Sequence, residues 1–190
     1  MTLPVLSTPD AALRPAQPAW PPVDVSPHRL HGLPPVVDRR TRLVLLGSFP
    51  GVASLQAQQY YGHPRNQCWP LLGAILDLPL AAMAYEARLQ ALRRRRLGLW
   101  DVYASCRREG SLDSAIEAPQ LNDFAALCAQ APSLRWVAHN GATSARATRH
   151  VQATGLQALR LPSSSPAHAS WSFERKLAAW RAAFATAGLA

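Results

Sequence analysis

The chain predicts an α/β protein, a three-layer α/β/α sandwich around a central four-stranded, mostly parallel sheet. Three observations carry this. Four short apolar runs, at 42–47, 98–103, 134–139 and 157–161, read as buried strands. Helical stretches separate them, and such alternation builds a parallel sheet covered on both faces. Glycine-, serine- and proline-rich loops follow the first and last of these runs. Open parallel sheets build their sites at the carboxyl ends of their strands.

The elements follow in order. Residues 1–40 hold nine of the 17 prolines and show no periodicity. Pro21-Pro22 and Pro34-Pro35 forbid helix and central strand there. Residues 1–28 are therefore expected to form an extended, proline-rich arm, with the folded domain over 29–190 and residues 29–38 lying against it. The first strand leads into a long loop over 48–65. Helices are expected from Asn66 to Asp77 and from Ala81 to Arg95. The second strand follows at 98–103. A helix from Asn122 to Ala131 takes Asn122 as its N-cap. The third strand precedes a helix from Ala142 to Val151, and the fourth precedes a last helix starting near Ser172. In that helix Phe173, Leu177, Trp180 and Phe184 fall on one apolar stripe. No internal repeat is present.

Composition narrows the function. The net charge is +9, and all but one of the 20 basic residues are arginine. Residues 1–40 carry four arginines and three aspartates, which leaves +8 on the remainder. A folded domain with that excess suits a polyanionic partner such as nucleic acid. No apolar run reaches the ~18 residues of a membrane span. No charged and then apolar leader opens the chain, so a cytoplasmic location is expected. The three cysteines, Cys68, Cys106 and Cys128, form no CxxC pair, and the six histidines show no ligand spacing. No disulfide framework, metal or cofactor is predicted.

Three motifs carry the chemistry. GlySerPheProGly (47–51) is neither a P-loop nor a nucleophile elbow, because no Gly-Lys-Ser/Thr follows and Ser48 is second in the pentapeptide. Its two glycines allow close backbone approach to a ligand. TyrTyrGlyHisProArgAsnGlnCysTrp (60–69) offers Tyr60 and Tyr61 for stacking, Arg65 for phosphate and Asn66 for a water or a base edge. Asn66 is equally placed to cap the following helix, and Trp69 reads as core. LeuProSerSerSerProAlaHisAla (161–169) is a stiff polar turn fit to hold a phosphate oxygen, or a plain loop leading to a helix-capping serine such as Ser170 or Ser172. Arg93 to Arg96 form a basic run at a helix end, where cations suit the dipole. Asp101 and Asp113 stand near strand or loop ends, as acids, bases, caps or ion-pair partners.

Taken together these motifs resemble the uracil-DNA glycosylase superfamily, and most closely its hypoxanthine-DNA (deoxyinosine) glycosylase branch. LeuTrpAspVal (99–102), GlySerLeuAspSerAlaIle (110–116) and AsnGly (140–141) extend the resemblance over about residues 30–188. It implies a DNA repair enzyme that flips a deaminated base out of double-stranded DNA, hydrolyses its N-glycosidic bond and leaves an abasic site, as a monomer and without a cofactor. Mismatch-specific uracil glycosylases carry an asparagine where this chain has Phe49. The hypoxanthine branch lacks it too and uses the asparagine matching Asn66, which makes Asn66 the implied catalytic residue. Gly47, Ser48, Phe49, Tyr60, Tyr61, His63 and Asn140 would form the base pocket. Pro50, Gly51, Arg65, Ser163, Ser164, Ser165, Pro166 and His168 would meet DNA, with 166–169 filling the space left by the flipped nucleotide. The alternatives are a sister enzyme for uracil or xanthine, a binding domain without catalysis, and a hydrolase of free nucleosides.

Overall fold

Four of the chain's apolar runs pair as one parallel sheet in the computed structural model, which describes residues 29–189. In chain order the elements are β1 (Leu30–His31), β2 (Leu43–Gly47), α1 (Val52–Ala57), α2 (Cys68–Leu76), α3 (Tyr85–Arg94), β3 (Leu97–Asp101), β4 (Tyr103–Arg107), β5 (Glu117–Leu121), α4 (Phe124–Gln130), β6 (Trp136–Asn140), α5 (Ala142–Ala145), α6 (Thr148–Gln152), β7 (Gln157–Leu161) and α7 (Phe173–Thr186). The parallel sheet runs β3-β2-β6-β7, with Leu45 beside Leu99 on one side and Ala138 on the other. Every residue of β2 and β3 is buried, as strands covered on both faces require. From β2 the chain steps one way to β3, and from β6 it steps the other way to β7. Right-handed crossovers therefore put α2 and α3 on one face and α5 and α6 on the other. The last helix, α7, packs on α2 and β7 and buries Trp180 and Phe184 completely.

The edge of β3 is closed by residues that read as part of the approach to the domain. Val36 exchanges two backbone hydrogen bonds with Leu99, at 2.9 and 3.0 Å, which blunts an otherwise open edge. The proline-rich arm, residues 1–28, lies outside the described residues.

Several expectations are corrected. A second sheet, antiparallel in the order β1-β4-β5, accompanies the first. It escaped the sequence reading because β1 has two residues and β5 (GluAlaProGlnLeu) is exposed throughout and contains a proline. The expected second strand over 98–103 is two strands, parted at Val102. The loop over 48–65 contains the short helix α1. The helix expected from Ala81 is a 3-10 turn at Leu80–Ala82 followed by α3, because Met83 and Ala84 are extended. Asp123 caps α4 by accepting from the Ala126 N–H (2.9 Å), while Asn122 donates to the Asp101 carbonyl (2.8 Å). The helix expected over 142–151 is α5 and α6, interrupted at Arg146 and Ala147. Ser172 caps α7, as its position implies. Among the described residues no helix is long and apolar enough to cross a membrane.

Candidate active site

The loops after β2 and β6 leave the sheet in opposite directions, and a crevice opens between them. This is the switch point at which open α/β sheets bind ligands. A cavity of about 310 Å³ occupies it. All three sequence motifs reach it. Gly47 to Gly51, Tyr60, Tyr61, His63, Asn66, Asn140, Ser163 to Pro166 and His168 line its wall. Arg65 does not; it stands exposed beside it. Arg93 to Arg96 lie at the opposite, amino-terminal end of the strands, where α3 enters β3 and the Arg96 carbonyl accepts from the Arg42 N–H.

A hydrogen-bonded chain joins three loops at the cavity. Asn140 Nδ2 donates to Ser164 Oγ (2.8 Å), and Ser164 Oγ donates to Asn66 Oδ1 (2.9 Å). The Ser164 N–H returns to Asn140 Oδ1 (2.9 Å), and the Cys68 N–H donates to Asn66 Oδ1 (3.0 Å). A backbone N–H can only donate, so these contacts fix which end of each amide is oxygen. Asn66 serves the following helix and also lines the cavity. It satisfies an orphan N–H of α2, although Gln67 holds the capping position, and among the described residues its Nδ2 has no hydrogen-bond partner. Lys176, on the first turn of α7, is buried and donates to Gln67 Oε1 and the His168 carbonyl, both at 2.8 Å. Burial lowers its ammonium pKa. It ties the third loop to the second.

The aromatic residues differ in their roles. The Phe49 ring is buried on the cavity wall, with the Arg108 guanidinium 5.1 Å from its centroid. Arg108 also donates to the Pro50 carbonyl, which pins the first loop. Tyr60 is buried, and its hydroxyl donates to the Leu33 and Pro34 carbonyls at 3.1 and 3.0 Å. It anchors the approach segment more than it offers a stacking face. Tyr61, at φ 54°, keeps its ring half-buried and its hydroxyl shut in, without a hydrogen bond among the described residues. Trp69 is core, donating to the Tyr60 carbonyl at 3.2 Å.

Charge enters through residues the sequence left ambiguous. Asp101 ends β3 and Asp113 belongs to the 3-10 turn before β5; both reach the cavity. Ser48 Oγ donates to Asp113 (2.7 Å). The Asp101 carboxyl is buried over Gly47, where a side chain would stand 2.2 Å from Oδ1. Burial, reinforced by the charge of Asp113 and opposed by Arg108, raises its pKa to about 7. Buried His139 is structural. Ser144 Oγ donates to the Leu46 carbonyl and so accepts from His139 Nδ1 (2.9 Å), which leaves Nε2 bare. Burial lowers its pKa to about 4. Arg108 and Lys176 escaped the sequence reading, since nothing local distinguishes a buried cation from a solvated one. Among the described residues no cluster suits a metal ion.

Residues 34–186 match the family model of the uracil DNA glycosylase superfamily. Two relatives named hypoxanthine DNA glycosylase, from Methanosarcina barkeri and Methanosarcina acetivorans, are each 40% identical to this chain over 153 residues. The match covers 80% of this chain and 96% of each relative. A solution NMR structure from Methanosarcina acetivorans, whose name assigns it provisionally to the uracil DNA glycosylases, superposes with a TM-score of 0.76 at 38% identity. It covers 85% of this chain and 99% of that one.

Proposed function

This chain belongs to the uracil DNA glycosylase superfamily, and from that premise we propose that it excises hypoxanthine from deoxyinosine in DNA. It is a DNA N-glycosylase acting on deaminated bases, and hydrolysis of the glycosidic bond leaves an abasic site. The observation that carries the reading is the Asn140–Ser164–Asn66 chain, which joins three loops around one base-sized cavity. The names of the two relatives support hypoxanthine as the substrate. The excess positive charge supports a DNA partner; we take that DNA to be double-stranded, bound by a single copy of the chain in the cytoplasm.

The target nucleotide leaves the stack and enters the cavity, at a cost of about a few kcal/mol that is least for a mispaired base. Phe49, held by Arg108, gives the base an aromatic face. Asn66 is a neutral amide and takes no proton. Its Oδ1 is committed to two donors, so Nδ2 is the group that orients the attacking water. Ser163 and Ser165, with the 166–168 segment, hold the flanking backbone. Leu112 stands 58% exposed on the cavity rim, an apolar wedge suited, beside the 166–169 segment, to the gap left in the stack.

Alkaline cleavage of a labelled duplex with one deoxyinosine, beside a uracil duplex, tests this in single turnover. Wild type should cut the inosine strand, and Asn66→Ala should bind it without cutting. A wild-type rate in Asn66→Ala would remove Asn66 from the mechanism. Cleavage of the uracil strand alone would keep the superfamily and change the substrate.

A further inference from the structure

Asp101 lies on the cavity wall at the carboxyl end of β3, packed over the bare Cα of Gly47 at the end of β2. The carboxyl is buried, and Oδ2 is sealed from solvent without a hydrogen-bond partner among the described residues. No salt bridge reaches it there. An ionised carboxylate in such a place is costly; an undissociated one carries a proton to donate.

Burial and the neighbouring Asp113 favour the undissociated form, and the positive charge of Arg108 opposes them. Asp113 adds a negative charge, and the Ser48 hydroxyl donates to Asp113 and not to Asp101. Arg108, at the end of β4, directs its guanidinium to Phe49 and the Pro50 carbonyl. Tyr60 and Tyr61, from the second loop, face the carboxyl as neutral phenols that burial holds far from ionising.

The other donors of the cavity are largely committed. Ser164 Oγ donates to Asn66, Ser48 Oγ to Asp113, and Tyr60 to the backbone. Of the buried groups near the cavity that keep a free proton among the described residues, Tyr61, Arg108 and Asp101, only the carboxyl can surrender it near neutrality.

We infer that Asp101 is the catalytic acid of this site, donating its carboxyl proton to an acceptor atom on the flipped base as that base departs. The inference rests on the glycosylase reading. The C1′–N bond breaks, its electron pair passes to the base, and the Asp101 proton moves to the base. Water adds its oxygen to C1′ and releases a proton, and the carboxylate regains one through the cavity once the base has left. The products are the neutral free base and the abasic sugar.

Single-turnover excision of deoxyinosine from pH 5 to 9 tests this, with wild type, Asp101→Asn and the smaller Asp101→Ser, each shown by thermal melting to be folded. The wild-type rate should fall as pH rises through about 7. Both variants should be slower by about 10²–10⁴-fold and lack that falling limb. A duplex carrying the N7-methylated form of the same base, which leaves without an added proton, should bring the variants to within a few-fold of wild type. A falling limb that survives in the variants would overturn the inference. Equal losses on both substrates would do the same, since a merely structural residue slows both. Wild type inactive on deoxyinosine, deoxyuridine and deoxyxanthosine alike would overturn the glycosylase reading and this inference with it.

Discussion

The fit of Gly47 under Asp101 makes a sharp prediction. A Cβ at position 47 would lie 2.2 Å from Asp101 Oδ1, whereas its next neighbours, Asp101 Cγ and the Tyr61 hydroxyl, stand at 3.5 and 3.7 Å. The backbone of Gly47 lies outside the left-handed region, so alanine is conformationally permitted there. In Gly47→Ala the carboxyl must move by more than 1 Å within a packed wall, a strain of about 1–3 kcal/mol. Without that clash the substitution should stabilise by about 0.4–1 kcal/mol, through the lost freedom of the unfolded chain. The expected result is a double-mutant cycle with strong coupling. Gly47→Ala should cost about 1–2 kcal/mol in wild type and be neutral or stabilising in Asp101→Ala, a coupling of about 1–3 kcal/mol. Urea unfolding of the four proteins, with constant m-values, measures it. Additivity within about 0.5 kcal/mol would refute the proposed contact and the enclosed position assigned to the carboxyl.

Two further outcomes follow from the same site. The Asp101 carboxyl titrates near 7 when folded and near 3.8 when unfolded, so the native state holds the extra proton between those values and stability falls as pH rises. His139 titrates near 4 when folded and near 6.5 when unfolded, so there the unfolded state holds the extra proton and stability rises with pH. Each effect is on the order of 3–4 kcal/mol, and they largely cancel between pH 4 and 6.5. Urea midpoints for wild type should therefore change little over that window, while Asp101→Asn should gain stability steadily as pH rises; a flat Asp101→Asn profile would contradict the burial of His139. Leu112→Ala removes an exposed side chain from the cavity rim and should leave the unfolding midpoint within about 0.5 kcal/mol of wild type. It should weaken binding to a deoxyinosine duplex several-fold, read by fluorescence anisotropy with the Asn66→Ala protein as background, and unchanged affinity would remove Leu112 as the wedge.

The parallel sheet and the three loops around the cavity were legible in the sequence because their signals are local. A buried parallel strand is a continuous apolar run, and β2, β6 and β7 appear within two residues of where those runs predict them. Glycine, proline and serine punctuate the loops that follow, and the stripe of α7 shows its buried face directly. The sheet β1-β4-β5 was invisible because a two-residue strand and an exposed strand with a proline have no periodicity of their own; pairing with β4 alone makes them strands. The chemistry of the site divides the same way. Asn66 was named from its motif, but one of the two bonds that occupy its Oδ1 comes from Ser164, nearly 100 residues away. Asp101 read equally well as a cap or an ion-pair partner, since the sequence does not say what a carboxyl will face. Gly47, Asp113 and Arg108 decide that only when β2, β3 and the ends of the second sheet meet, because desolvation and Coulomb interaction depend on distance in space and not along the chain.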